Sequence, residues 1–313
     1  MAKKELIYGC MGLGGSWDDT PISSKDIVVA EKAIETALEI GITYFDHADI
    51  YSLGKAEQVF GEVLKNNSGL RDRIMVQSKA GICLHQGING SSIYNASKAY
   101  LIEQAENILK RLQTDYLDVF MVHRPDPLMN PEEVADAFRI LKKAGKVKKF
   151  GVSNMSMHQI ATIQEYCDEP LVANQIELSL AHSLLIDAGV EVDRINKYDY
   201  TGVEGLIEYM QKHNLAIQAY SSLAGGRYTG NASLASKADT HTIVLLNQMA
   251  EKYNTTPASI LLAWIFKIPG TVQPIIGTTN PERIKSCRDA AQIELSRHDW
   301  YNLWISARGE RIP

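Results

Sequence analysis

The strongest constraint on this chain is an alternation. Eight short runs, apolar along both faces, are separated by longer stretches with helical periodicity. The runs are Leu6–Cys10, Ile42–Phe45, Ile74–Ser78, Leu117–Val122, Lys149–Val152, Val172–Gln175, Ala216–Ala219 and Pro274–Ile276. Between them the spacing predicts helices over Ser24–Ile40, Lys55–Lys65, Ser97–Leu112, Pro131–Ala144 and Ser156–Tyr166. Gly205–His213, Thr242–Tyr253, Pro257–Lys267 and Pro281–Ala290 follow. Ser24 is placed to cap the first helix, with Val28, Ala33, Ala37 and Leu38 on one face. Pro131, Pro257 and Pro281 stand where a first helical turn tolerates proline. Strands buried on both sides and joined by helices form a parallel sheet. Their even spacing favours closure into a single (β/α)8 TIM barrel over an open, doubly wound sheet. Ser296–Arg308 reads as an extra amphipathic helix outside it. No linker or shift in composition divides the chain, so one domain over residues 1–313 is expected.

With 313 residues, 45% hydrophobic and 22% charged, the chain is large enough for one such barrel with a full core. The net charge of −5 argues against a general nucleic-acid binder. The basic run Lys142–Lys149 sits at a predicted helix end, where cations complement the helix dipole. Cys10, Cys83, Cys167 and Cys287 form no Cys-x-x-Cys pair and read as reduced thiols. The N-terminal residues lack the apolar core of a signal peptide, and no stretch reaches the roughly 20 apolar residues of a membrane span. A cytoplasmic protein is expected, monomeric or weakly oligomeric, without nucleic-acid or membrane partners. Gly12-Leu13-Gly14 begins a dinucleotide fingerprint, but Trp17 stands where its third glycine belongs, and no P-loop is present.

Polar residues gather where the runs end, which in a barrel is the catalytic face. Asp46 and Tyr51 follow the second run, Lys79 the third and His123 the fourth. Together they suit carbonyl reduction, which needs hydride on carbon and a proton on oxygen. A tyrosine can give the proton, but its reference pKa is about 10. A neighbouring ammonium stabilises the phenolate and lowers that value. A carboxylate beside the lysine keeps it charged, and a neutral imidazole can orient the carbonyl. Tyr51 is therefore assigned as acid, Lys79 as its tuner, Asp46 as the anchor of Lys79, and His123 as the orienter.

Seven motifs run in order through most of the chain. The first is Gly41-Ile42-Thr43-Tyr44-Phe45-Asp46-x-Ala48-x-x-Tyr51 with Gly54 and Glu57, then Ser78-Lys79. Asp118 to His123 and Gly151-Val152-Ser153-Asn154 come next. Asn174-Gln175, Tyr220-Ser221-x-Leu223, and Ile276-Gly277 through Pro281-Glu282-Arg283-Ile284 complete the series. In these the chain resembles the aldo-keto reductase superfamily, and the His-Arg-Pro-Asp-Pro and Ala-Gly-Gly-Arg stretches resemble a poorly characterised bacterial branch. The resemblance implies NADP(H) as cofactor and the tetrad Asp46, Tyr51, Lys79 and His123. It implies that Ser153, Asn154 and Gln175 hold the nicotinamide carboxamide, that Tyr220 stacks on the ring, and that Ser221, Leu223, Gly225, Gly226 and Arg227 follow the pyrophosphate. Gly12, Leu13 and Asp46 line the near side. Ile276, Gly277, Thr278, Thr279, Arg283 and Cys287 complete the adenosine end, with Arg283 on the 2′-phosphate. Gly277 replaces a lysine frequent in the family, and Ser286 and Cys287 replace acidic and amide residues.

For the substrate, Trp17 offers an apolar wall beside Tyr51 and His123, the alternative being a core tryptophan. Arg124 either meets a substrate carboxylate or pairs with Asp126. The Gly-, Asn- and Ser-rich stretch 84–96 reads as a loop over the mouth. Two other functions suit the same pattern. One is a regulatory subunit that keeps the cofactor site without turnover. The other is a metal-dependent barrel hydrolase using His47, His85, His123 and Asp49, against which the lack of a His-x-His pair counts. No resident metal is expected.

Overall fold

A computed structural model of the chain describes residues 4–191, 202–231, 235–236 and 239–313. Residues 1–3 of the N-terminal stretch lie outside the described residues. The strands are β1 Ile7–Gly9, β2 Tyr44–Asp46, β3 Met75–Ala80, β4 Ile82–Cys83, β5 Ile93–Tyr94, β6 Leu117–Val122, β7 Val147–Ser153, β8 Ala173–Glu177, β9 Ala216–Tyr220 and β10 Val272–Ile276. Eight of them close into a barrel in the order β1-β10-β9-β8-β7-β6-β3-β2, while β4 and β5 form a separate antiparallel pair. Each barrel strand overlaps the apolar run assigned to it. β1, β2 and β6 are buried at every residue, as strands flanked on both faces must be.

The contacts divide the chain into two compact units. One comprises Ile7–Asn174 and Gly277–Pro281; the other comprises Met1–Leu6, Gln175–Ile276 and Glu282–Pro313. In the first unit the helix Ser24–Glu39 starts from a capping box. Ser23 accepts from the Asp26 amide at 3.3 Å, and the Asp26 carboxylate accepts from the Ser23 amide at 2.8 Å. The cap is thus Ser23 rather than Ser24, because only Ser23 has an acid three residues on. Val28 is exposed, and the buried face is Ala30, Ala33, Ile34, Thr36 and Ala37. Asn130 caps the helix Pro131–Lys143 with proline in its first turn. That helix stacks Phe138 on Phe150 of β7, ring centroids 4.2 Å apart. The basic run is bound to acids. Lys142 pairs with Glu169 at 2.9 Å, Lys148 with Asp118 at 3.1 Å, and Lys146 with Glu106.

The stretch expected as a loop over 84–96 carries one short strand, β5, which pairs with β4 just before the stretch, Ile82 opposite Tyr94 and Cys83 opposite Ile93. Two-residue strands are too short to show a period in sequence. In the second unit the helix Pro257–Phe266 is buried from Ala258 to Phe266. The C-terminal helix Arg297–Arg308 begins at the Ser296 cap. It is fixed by Trp304, which donates to Asp187 at 3.0 Å, and by Arg308, which reaches Asp187 at 2.8 Å and Glu191 at 2.6 Å. The helix expected over Pro281–Ala290 stops at Lys285. Among the described residues, no helix is long and apolar enough to cross a membrane.

Candidate active site

The tetrad lies wholly in the first unit. Asp46 ends β2, Lys79 lies one residue from the end of β3, and His123 directly follows β6, so all three sit at C-terminal strand ends. Lys79 is fully buried. Its ammonium donates to Asp46 Oδ1 at 2.6 Å and to the His47 carbonyl at 2.7 Å. A charge taken out of water persists only when it is paired and hydrogen-bonded in this way. Gln77, on the same face of β3 as Lys79, also donates to Asp46 Oδ1 at 2.5 Å and accepts from Tyr44 at 2.6 Å. Gln77 therefore holds Asp46 in place while Asp46 holds Lys79.

Tyr51 sits above this pair. Lys79 Nζ lies 5.1 Å from the Tyr51 ring centroid, and the Tyr51 and His123 rings meet edge to face at 6.2 Å and 81°. The segment that presents Tyr51 is tightly bent: Ser52, Leu53 and Gly54 have φ of +48°, +58° and +86°. Non-glycine residues seldom adopt this region, and the surroundings hold them there. Ser52 donates to the Leu13 carbonyl at 2.8 Å. The positive φ at Gly54 favours glycine, and a Cβ there would also crowd Arg111 Cδ at 3.0 Å.

His123 is held neutral. Burial pushes its protonation well below the usual imidazole range, with the charges of Lys79 and Arg124 adding to that. Its Nδ1 has no hydrogen-bond partner among the described residues. Behind the tetrad, the buried Glu57 accepts from Ser78 at 2.6 Å and from Arg111 at 2.7 Å, which ties the helix Lys55–Asn66 to the residue before Lys79. Burial is the main cause that raises the Glu57 carboxyl above its ordinary value. His47, edge-on to Phe60 at 4.6 Å, is pushed down to about 3 by burial and then by Lys79, so it too is uncharged at neutral pH.

Gly12 and the Gly277–Thr279 segment are neighbours: a Cβ on Gly12 would meet Thr279 Cγ2 at 3.4 Å, and one on Gly277 would come within 3.8 Å of the Gly9 carbonyl. Tyr8 fixes that segment by donating to the Thr278 carbonyl at 3.0 Å. Leu13 is buried. Ser153 is buried at the end of β7, and the Asn154 amide donates to Ser153 Oγ at 2.8 Å and to the His123 carbonyl at 3.4 Å. Trp17 is 50% exposed, which removes the core alternative. Arg124 is half-buried, and no Arg124–Asp126 ion pair is present among the described residues. Asp126 instead accepts from the Ala96 and Leu128 amides at 2.9 and 2.8 Å.

In the second unit Gln175 donates to Gln218 at 3.1 Å, and Gln218 donates to Gln273 at 3.3 Å, a polar row across β8, β9 and β10. Tyr220 ends β9 and is half-buried. After it the backbone turns through Ser221, Ala224, Gly225 and Gly226, all at positive φ. Leu223 is half-buried in this turn, and Ser222 anchors it to the Ile275 carbonyl at 2.6 Å. Arg227 is paired with Asp239 at 2.9 Å. Ile276 closes β10, and Arg283 lies on the short helix Pro281–Lys285. Cys287 is fully buried with its thiol towards the Arg283 carbonyl at 3.4 Å, so its side chain offers no surface to a ligand. Gln77 and Arg111 also serve the site and are not among the residues the motifs single out. Gln77 was findable from the two-residue period that puts it on the face of Lys79. Arg111 was not, since it meets Glu57 across 54 positions.

The model of the "Aldo/keto reductase family" matches residues 5–304. The chain is 35% identical to the uncharacterized oxidoreductase YcsN of Bacillus subtilis over 284 residues, covering 90% of this chain and 88% of that protein. It is 32% identical to the 6-dehydroglucose reductase of Agrobacterium fabrum, covering 98% of this chain and 95% of that protein. Among solved structures it is similar to an aldo-keto reductase from Klebsiella pneumoniae in complex with NADPH. The TM-score is 0.73 and the identity 28%, over 97% of this chain and 94% of that one. With the family model covering nearly its whole length, the chain belongs to the aldo/keto reductase family.

Proposed function

We propose that the protein is an NADPH-dependent reductase of aldehydes and ketones, with residues 1–313 acting as one domain. The observation that carries this reading is the buried Lys79–Asp46 pair beneath Tyr51, beside a neutral His123. The similar Klebsiella protein was crystallised with NADPH, and this chain's residues suit such a ligand. Gly12 and Gly277 leave room for close approach, and Arg283 supplies a guanidinium. Bound NADPH supplies the hydride that reaches the carbonyl carbon. The Tyr51 hydroxyl gives its proton to the carbonyl oxygen. Lys79, its charge balanced by Asp46, stabilises the phenolate left behind. His123 donates a hydrogen bond to the same oxygen and sets the orientation of the substrate. Ser153, Asn154 and Gln175 take the carboxamide, Tyr220 the ring face, and the turn from Ser221 to Arg227 the pyrophosphate. A panel of carbonyl compounds, followed as NADPH oxidation, tests the reading.

Cofactor preference rests on Arg283. Because its helix has five residues, the helix dipole adds little, and the guanidinium is left to bind the 2′-phosphate. A charge-assisted contact is worth roughly 1.5–3 kcal/mol. Gly277 stands where a second cation is frequent, so the expected NADPH preference is at the low end, about tenfold in kcat/KM. The Arg283→Ala variant should lose it. A wild-type preference for NADH, or an unchanged ratio in the variant, contradicts the assignment.

Substrate range rests on Trp17. A half-exposed indole near the mouth should favour flat aldehydes over bulky ketones. Its partial burial by a ligand is worth on the order of 1 kcal/mol. Trp17→Ala should raise KM for an aromatic aldehyde about fivefold to tenfold. It should leave methylglyoxal and the melting temperature nearly unchanged. Equal KM changes for the two substrates would refute the wall.

A further inference from the structure

A second buried acid shares the segment of Tyr51, and its role rests on the reading above that Tyr51 gives the proton. Asp49 lies two residues before Tyr51 and is 8% exposed. Its amide donates to the Lys79 carbonyl at 3.0 Å, so it is bound to the same strand end as the ammonium. Its Oδ1 has no hydrogen-bond partner among the described residues. The charged and titratable groups around it come from four elements. Glu57 faces it from the helix Lys55–Asn66, Arg111 and Tyr100 from the helix Lys98–Leu112, and Lys79 from β3. Cys83 of β4 stands behind Tyr100. Asp46, His47 and Tyr51 share its own segment.

The charges balance without Asp49. Lys79 is matched by Asp46 at 2.6 Å, and Arg111 by Glu57 at 2.7 Å. His47 is neutral. Arg111 Nη2 has no hydrogen-bond partner among the described residues, but the guanidinium charge is already shared with Glu57. Three carboxyls thus face two cations, and the one without an ion pair holds its proton. Burial, and then the charge of Glu57, push the Asp49 carboxyl up to about 8.

We propose that Asp49 is a positioning residue for proton transfer: as a neutral carboxyl it leaves the field of Lys79 directed at Tyr51, and its ionisation offsets that field and weakens Tyr51 as an acid. A negative charge added in that segment makes the phenolate harder to form. The wild-type kcat/KM for reduction should therefore step down as Asp49 ionises, before Tyr51 itself titrates.

The test reads Tyr51 without turnover. Its phenolate is followed by ultraviolet absorbance as the difference between wild type and Tyr51→Phe, then as the same difference in an Asp49→Asn background. Asparagine copies the shape of the neutral acid. The phenolate should appear at lower pH in the Asp49→Asn background, with about tenfold more of it at a given alkaline pH. The alkaline step in kcat/KM should vanish in Asp49→Asn. Superimposable Tyr51 titrations in the two backgrounds overturn the proposal. So does a carbon-13 carboxyl titration showing Asp49 of the wild type already ionised at about pH 6, which serves equally if the asparagine variant does not fold. A shifted Tyr51 titration with no turnover of any carbonyl counts against the proposed reaction and supports the coupling.

Discussion

Replacing Tyr51 with Phe is expected to lower kcat by roughly 10²–10⁴-fold, the range a positioned general acid supplies. The ring keeps its edge-to-face packing on His123 and its place over Lys79, so only the hydroxyl is lost. Cofactor affinity should hardly change, because Tyr51 belongs to the substrate side of the proposed reaction. Stopped-flow binding of NADPH beside steady-state reduction of one aldehyde separates the two. Near wild-type turnover would remove Tyr51 from its role. A fall in both turnover and NADPH binding would instead mean that the bent segment Tyr51–Gly54 had rearranged.

The second large effect is expected at Lys79. In Lys79→Met the phenol loses the cation 5.1 Å from its ring centroid, and reduction should fall almost completely between about pH 6 and 9. The same change leaves Asp46 buried without its lysine, although Gln77 still donates to it at 2.5 Å. Stability should therefore drop as well, by about 3 kcal/mol or more as for other broken buried ion pairs. Asp46→Asn should be milder on activity. The His47 carbonyl still accepts from Lys79 at 2.7 Å and keeps the ammonium near Tyr51. The ranking is read from kcat/KM and denaturant melts of the two variants. Equal activity of Lys79→Met and wild type across that range would refute the tuning role.

Much of this is legible in the sequence, for identifiable reasons. Barrel strands are buried on both faces, so runs such as Leu117–Val122 stand out without a period. The tetrad residues were visible because each ends or follows such a run. What sequence could not show was long-range or very short. The β4–β5 ladder rests on two pairs of facing residues, and β5 lies in a stretch whose Gly, Asn and Ser content reads as a loop. The choice of Ser23 over Ser24 as cap depends on one hydrogen bond to the Asp26 amide. The early end of the helix at Lys285 leaves the Pro281 segment with a weaker dipole than its sequence suggests. The state of Asp49 was also hidden. Its chemistry depends on which of three carboxyls Arg111 and Lys79 already serve, and that is decided by packing between distant helices.

Carbonyl reduction by the tetrad and cofactor binding without turnover part on one assay. Wild-type protein is mixed with NADPH and 4-nitrobenzaldehyde, and NADPH loss and alcohol formed are measured in the same sample. Reduction by the tetrad gives one alcohol for each NADPH consumed, and almost none from the Tyr51→Phe protein. Tight NADPH binding with no alcohol from this or any other aldehyde would contradict it.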